Sequence, residues 1–143
     1  MSLNTIYVCS TLLALGGWAY LIGSIFFTTT IPRFTAWIVP VVLAMTYAVL
    51  MVGALPFEGG SFSSIGGLVM LFSQQENALA GWVHYLAVDL FIGGWELQTA
   101  RRQQMPNLII ALSLALTMLL APVGLLFFLV ALQFSKKKAG NEF

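Results

Sequence analysis

Residues 78–97 read ALAGWVHYLAVDLFIGGWEL, an apolar run that carries His84, Asp89 and Glu96. As a helix the run is about 30 Å long, the thickness of a bilayer's hydrocarbon layer. At about 100° per residue, Trp82, Tyr85, Asp89, Gly93 and Glu96 share a narrow stripe, because their spacings are three, four, four and three. His84 lies about 140° around from Asp89, on a face with Val88, Phe91 and Trp95, so a regular helix keeps the two apart. A helix polar on two faces cannot turn both to lipid. It belongs at the centre of a bundle or beside a cavity.

Outward from this stretch the chain keeps the same character. Of its 143 residues 59% are hydrophobic and 8% charged, and the mean hydropathy is +0.93. Soluble domains are nearer a quarter charged. This balance excludes a soluble globular protein and a disordered chain. A net charge of +1 leaves no electrostatic footprint for nucleic acid. A single cysteine, Cys9, excludes a disulfide framework, an internal four-cysteine zinc site and an iron–sulfur cluster. A single histidine, His84, excludes a one-chain site of several imidazoles. What remains is a small integral membrane protein.

Three further uncharged runs, 5–27, 34–55 and 107–134, flank the first. Residues 5–27 read as a retained helix rather than a signal peptide, since residues 1–4 carry no basic side chain and the run is long. Pro32 and Pro56 bracket the second run, and Pro122 predicts a kink near the middle of the last. Between the second and third runs, 56–77 reads PFEGGSFSSIGGLVMLFSQQEN, whose apolar core at 65–72 is too short to cross. The expectation is an all-α, single-domain bundle over 1–143. It has four transmembrane helices, at about 5–27, 34–55, 78–97 and 107–134, and an interfacial or re-entrant segment between helices 2 and 3. Four crossings put both termini on one side. Lys136, Lys137 and Lys138 then oppose Arg33, Arg101 and Arg102, so the basic residues set no orientation.

Asp89, midway along its span, is the costliest side chain to bury and the first functional candidate. His84 lies near one end. Glu58, in Pro-Phe-Glu-Gly-Gly, sits on the same side as His84, and a loop folding back would pair carboxylate with imidazole at the mouth of the bundle. Glu96, near the other end and within reach of Arg101, reads as an interfacial charge. The glycine doublets read as close helix packing, with Gly93-Gly94 offering also a gap for a flat apolar ligand. The candidate set is therefore His84, Asp89 and Glu58 for chemistry, and Trp82, Tyr85, Gly93, Gly94 and Trp95 for ligand binding. No metal ligand set is assigned.

Residues 80–93, AGWVHYLAVDLFIG, resemble the W-x-H-Y-L-x-x-D-L-F-x-G signature of a family of small four-helix membrane proteins. That neoxanthin-synthase-like family is named after the plant abscisic-acid-deficient protein needed for neoxanthin formation. The loop at 56–67 and the helix after Pro106 are similar to it too, so the resemblance covers about 5–134. It implies a place in carotenoid or xanthophyll biosynthesis, and an isomerase that converts a xanthophyll epoxide to an allenic alcohol. Such a step needs protonation of the epoxide and loss of a proton from carbon, with no net redox change. His84 and Asp89 fall on the motif positions: Asp89 as proton donor in an apolar site, His84 as base or orienting group. The expected partners are a hydrophobic polyene or lipid ligand, membrane lipids and further copies of the chain. The brevity of the chain suggests a prokaryotic relative, in an inner or photosynthetic membrane. Two alternatives stand beside the enzyme. One is a non-catalytic carotenoid- or lipid-binding scaffold that assists another enzyme. The other is a metal- or haem-dependent oxygenase or redox subunit that uses His84.

Overall fold

Ser2 opens the first helix. Its hydroxyl accepts from the Thr5 amide at 3.2 Å, meeting one of the donors that a helix start leaves over. Helix α1 runs Leu3–Phe27. A π-helical turn, Phe34–Ile38, leads into α2, Val39–Gly53, with Pro40 in its first turn, where a missing N–H is tolerated. The short α3, Ile65–Ser73, is capped by Ser64, whose hydroxyl accepts from the Gly67 amide at 3.1 Å. Then come α4, Gln75–Arg102, α5, Asn107–Leu119, and α6, Ala121–Gly140. This computed structural model describes residues 2–27, 34–54 and 60–140, the side chains at 34–35 and 136–140 excepted. All regular elements among the described residues are helical. Two stretches, Leu3–Phe27 and Ala36–Gly53, are long and apolar enough to cross a membrane.

Helix α4 is the axis of the bundle and packs against every other helix. Its neighbours fix the directions. The Trp82 indole donates to Thr11 at 3.0 Å, Gly17 lies against Leu90, Trp18 lies over Gly93 and Arg101 reaches the Ser24 carbonyl, so α1 and α4 run parallel. Gly94 meets Ala36 and His84 meets Tyr47, so α2 runs antiparallel to both. The turn after α4 closes with the Met105 amide on the Ala100 carbonyl, and Gln104 takes the left-handed conformation at φ 51°. Helix α5 then returns along α4 as far as Tyr85.

The expected single crossing at 107–134 is two helices. Pro122 has no N–H for the Met118 carbonyl, and the chain turns at Leu120, with φ −148° and ψ 76°. In one straight helix Thr117 and Gly124 would stand about 10 Å apart. Here a Cβ added to Gly124 would fall on the backbone N and Oγ1 of Thr117. Further along α6, Phe128 packs edge-on against Trp95. Thus α6 doubles back on α5 and runs with α4. Four full crossings would put both termini on one side; in this bundle α1 starts at one end and α6 finishes at the other.

An apolar core holds the bundle together, but polar side chains lie inside it and large apolar ones cover its outside. Ser10, Ser24, Asn77, Asp89, Glu96, Ser113 and Thr117 are buried, while Leu12, Tyr20, Phe27, Met45, Val49, Leu126 and Phe134 are exposed. Several hydroxyls return to the carbonyl of the preceding turn, as from Ser24 to Leu21 at 2.7 Å and from Ser73 to Val69 at 2.8 Å, which satisfies them without water.

Candidate functional site

Asp89 sits mid-way along α4 and is 5% exposed; its Oδ2 has no hydrogen-bond partner among the described residues. The carboxyl borders a cavity of about 240 Å³ between α1, α4 and α5, whose walls include Thr11, Trp18, Trp82, Tyr85 and Met118. Burying an oxygen without a donor is costly unless something arrives to bond it. The rest of the wall is built to stay in place. Trp82 stacks on Tyr85, with ring centroids 5.6 Å apart, and packs against Tyr7 at 6.1 Å. Its indole N–H is held by Thr11. The Tyr85 hydroxyl, with one proton to give, lies 3.4 Å from the carbonyls of Met118 and Leu119 and also faces the Asp89 carboxyl as a hydrogen-bonding neighbour, which leaves Oδ2 the unpartnered oxygen. Exposed Leu15 and Leu119 mark where the cavity opens at the outside of the bundle.

His84 faces elsewhere. It lines a second cavity of about 160 Å³ between α2, α3 and α4, with Tyr47, Phe62, Leu71, Phe72 and Asn77. The imidazole lies 5.1 Å from the Tyr47 ring, tilted by 55°. His84 and Asp89 thus serve two cavities on different sides of one helix. Glu58, the third candidate for chemistry, lies outside the described residues.

The structure separates the ligand-binding candidates as well. Trp82 and Tyr85 line the Asp89 cavity. Gly93 borders the site indirectly: the Trp18 indole occupies the space that a Cβ there would take. Gly94 lies against the backbone of Ala36, and Trp95 packs on Phe128, so both lie at helix contacts rather than at either cavity. The glycine doublet is filled by protein, the close packing that small residues allow.

Glu96 departs from its expected interfacial position. It is 1% exposed, and both carboxyl oxygens lie 3.0 Å from the Thr117 hydroxyl. Ser113, one turn before Thr117, is wholly buried with its Oγ unpartnered among the described residues. The fold-back of α6 closes this pocket, which is why a carboxyl near the end of α4 is inside. The stripe that joins Asp89, Gly93 and Glu96 carried the signal for its burial. Thr117, Ser113, Asn77 and Trp18 carried none, since their roles depend on which helices become neighbours. Among the described residues no three His, Cys, Asp or Glu side chains gather as metal ligands.

The class defined by this arrangement is an all-helical bundle whose central helix presents a buried carboxyl to an aromatic-walled apolar cavity. The chain belongs to the ABA4-like family (ABA DEFICIENT 4-like), whose family model matches residues 5–128, from the first turns of α1 to Phe128 in α6. Membership points to a carotenoid- and neoxanthin-related role. No curated protein and no solved structure matches the chain.

Proposed function

We propose that the chain is an integral membrane protein that takes the ring end of a carotenoid- or xanthophyll-type polyene into the Asp89 cavity and isomerises it by acid–base chemistry. The observation that carries this reading is the unpartnered Asp89 oxygen beside an aromatic cavity. An intramembrane carboxyl is expensive and marks function by default. The cavity has room for a ring, and its opening past Leu15 and Leu119 leaves the polyene chain to lie along the apolar flank of α1 and α5. Asp89 supplies a proton to an oxygen of the ring, such as an epoxide. As that C–O bond opens, a proton leaves a neighbouring carbon and a new C=C bond forms. The carboxylate is the group positioned to recover that proton, so atoms and electrons balance within the substrate. Tyr85 and Trp82 hold the ring against the carboxyl.

The membrane part of the proposal has its own support. Two helices have the length and composition to cross, and large apolar side chains are exposed on every helix, among them Leu12, Val49, Ile65, Phe91, Leu112 and Leu126. With α4 as the third crossing, α5 and α6 form a hairpin that enters and leaves at one end, and the four-crossing bundle becomes three crossings plus this hairpin. That end holds Arg101 and Arg102 at the close of α4 and the positions of the lysines 136–138 near the close of α6, five of the six basic residues of the chain. The basic end then faces the cytoplasm.

The test is expression in carotenoid-producing bacteria followed by pigment separation. Wild type converts a β-carotene- or xanthophyll-type pigment, and Asp89→Leu does not. Unchanged pigments in both kinds of host overturn the enzymatic reading. Pigment that copurifies unaltered and survives Asp89→Asn would instead mark the scaffold role, which the almost wholly apolar cavity wall also favours.

A further inference from the structure

The second cavity is not needed for the chemistry at Asp89, yet it is furnished. Asn77 is buried at the start of α4, and its Nδ2 donates to the Leu71 carbonyl at 3.0 Å. Since that carbonyl can only accept, the amide's orientation is set, and Oδ1 is left without a partner among the described residues. A stranded amide oxygen carries a desolvation penalty that a donor from a ligand would relieve. The other polar side chains lining the cavity are the His84 imidazole and the Tyr47 phenol. Around Asn77 and His84 stand the rings of Tyr47, Phe62 and Phe72. The volume of about 160 Å³ is close to that of an engineered protein cavity, about 150 Å³, that holds benzene.

From these observations we propose that the space between α2, α3 and α4 is a second small-molecule site. It takes a ring-sized apolar group that bears one hydroxyl. The hydroxyl donates to Asn77 Oδ1 and lies beside His84, and the aromatic walls cover the ring. Phe72 forms a wall by lying against Gly81, where a side chain larger than hydrogen would displace it. The site is separate from the Asp89 cavity and stands or falls independently of the function proposed above.

Because His84 is the single histidine of the chain, its imidazole signals in an NMR spectrum need no assignment. The full chain in detergent micelles is titrated with cyclohexanol and, separately, with cyclohexane. The expected result is a saturable shift of the His84 signals with cyclohexanol. Half-saturation should come at a concentration about fivefold lower than with cyclohexane, the factor that one net hydrogen bond carries. Asn77→Leu should remove this preference for the alcohol. Met51→Trp, which fills the cavity without touching the Asn77–Leu71 bond, should remove saturation altogether and keeps the test open if the first variant misfolds. Asp89→Leu should leave the titration unchanged. Equal responses to both probes, a shift that rises linearly without saturating, or saturation that persists in Met51→Trp would overturn the proposal.

Discussion

The Tyr85 hydroxyl of α4 lies 3.4 Å from the Met118 carbonyl, the one that Pro122 deprives of its helical donor. The neighbouring Leu119 carbonyl is in the same position, because the Val123 amide turns to Leu120 instead. One phenol thus ties the vertex of the α5–α6 hairpin to the central helix and shapes the wall of the Asp89 cavity. Bonds of this length are weak, so Tyr85→Phe should cost about 0.5–1 kcal/mol. Thermal unfolding in detergent, followed by circular dichroism, reads that loss. No loss at all would mean that the carbonyls are met in some other way.

Thr117 and Glu96 make a stronger pair of variants. Thr117→Val keeps the shape of the side chain and removes the hydroxyl that both Glu96 oxygens share. A carboxyl left that far inside without its donor should destabilise the bundle by about 1–3 kcal/mol. Glu96→Gln retains an oxygen able to accept from Thr117 and should cost less. Chemical denaturation of the two variants side by side measures the difference. If Glu96→Gln proves the more damaging, the carboxyl has a task beyond this hydrogen bond.

How far these features were legible in the sequence depends on whether they are local to one helix. The stripe of Trp82, Tyr85, Asp89, Gly93 and Glu96 follows from helical geometry alone, and so does the separation of His84 from Asp89. Ser64 as a cap, the short helix at Ile65–Ser73 and the interruption by Pro122 are equally local. The sharpness of that interruption is not, since a proline removes one donor whether the chain bends slightly or doubles back. What decides the matter is Gly124, which brings α6 onto Thr117 and encloses Glu96. Nor could the sequence tell that Trp18, from a helix some seventy positions earlier, fills the space at Gly93.

The glycines give a contrast within one residue type. Around Gly16 an added methyl meets nothing within 4 Å, so Gly16→Ala should stabilise the helix by about 0.5–1 kcal/mol. At Gly124 the same methyl collides with the Thr117 backbone, and the hairpin must open. Gly124→Ala should cost about 1–3 kcal/mol. It should also part Trp95, already half-exposed, from Phe128 of α6, and so shift tryptophan emission. Unfolding curves and fluorescence together check both substitutions, and equal effects at the two positions would argue against the doubled-back arrangement.

The hairpin makes one consequence visible in a living cell. In a four-crossing bundle the first and last helices would have their free ends on the same side of the membrane. In the membrane arrangement proposed above, with α5 and α6 doubled back, they would lie on opposite sides, and the end shared by Gln103 and the close of α6 would carry Arg101, Arg102 and the three lysines. In a Cys9→Ser background, Ser63→Cys, Gln103→Cys and Ala139→Cys place a single thiol at each point of interest. A membrane-impermeant maleimide should label the Ser63→Cys protein in intact cells and the other two only after the membrane is opened. The Ala139→Cys protein decides between the arrangements, because only the hairpin puts that position with Gln103 rather than with Ser63. Labelling of Ala139→Cys in intact cells together with Ser63→Cys would restore the fourth crossing and leave the orientation unset by charge.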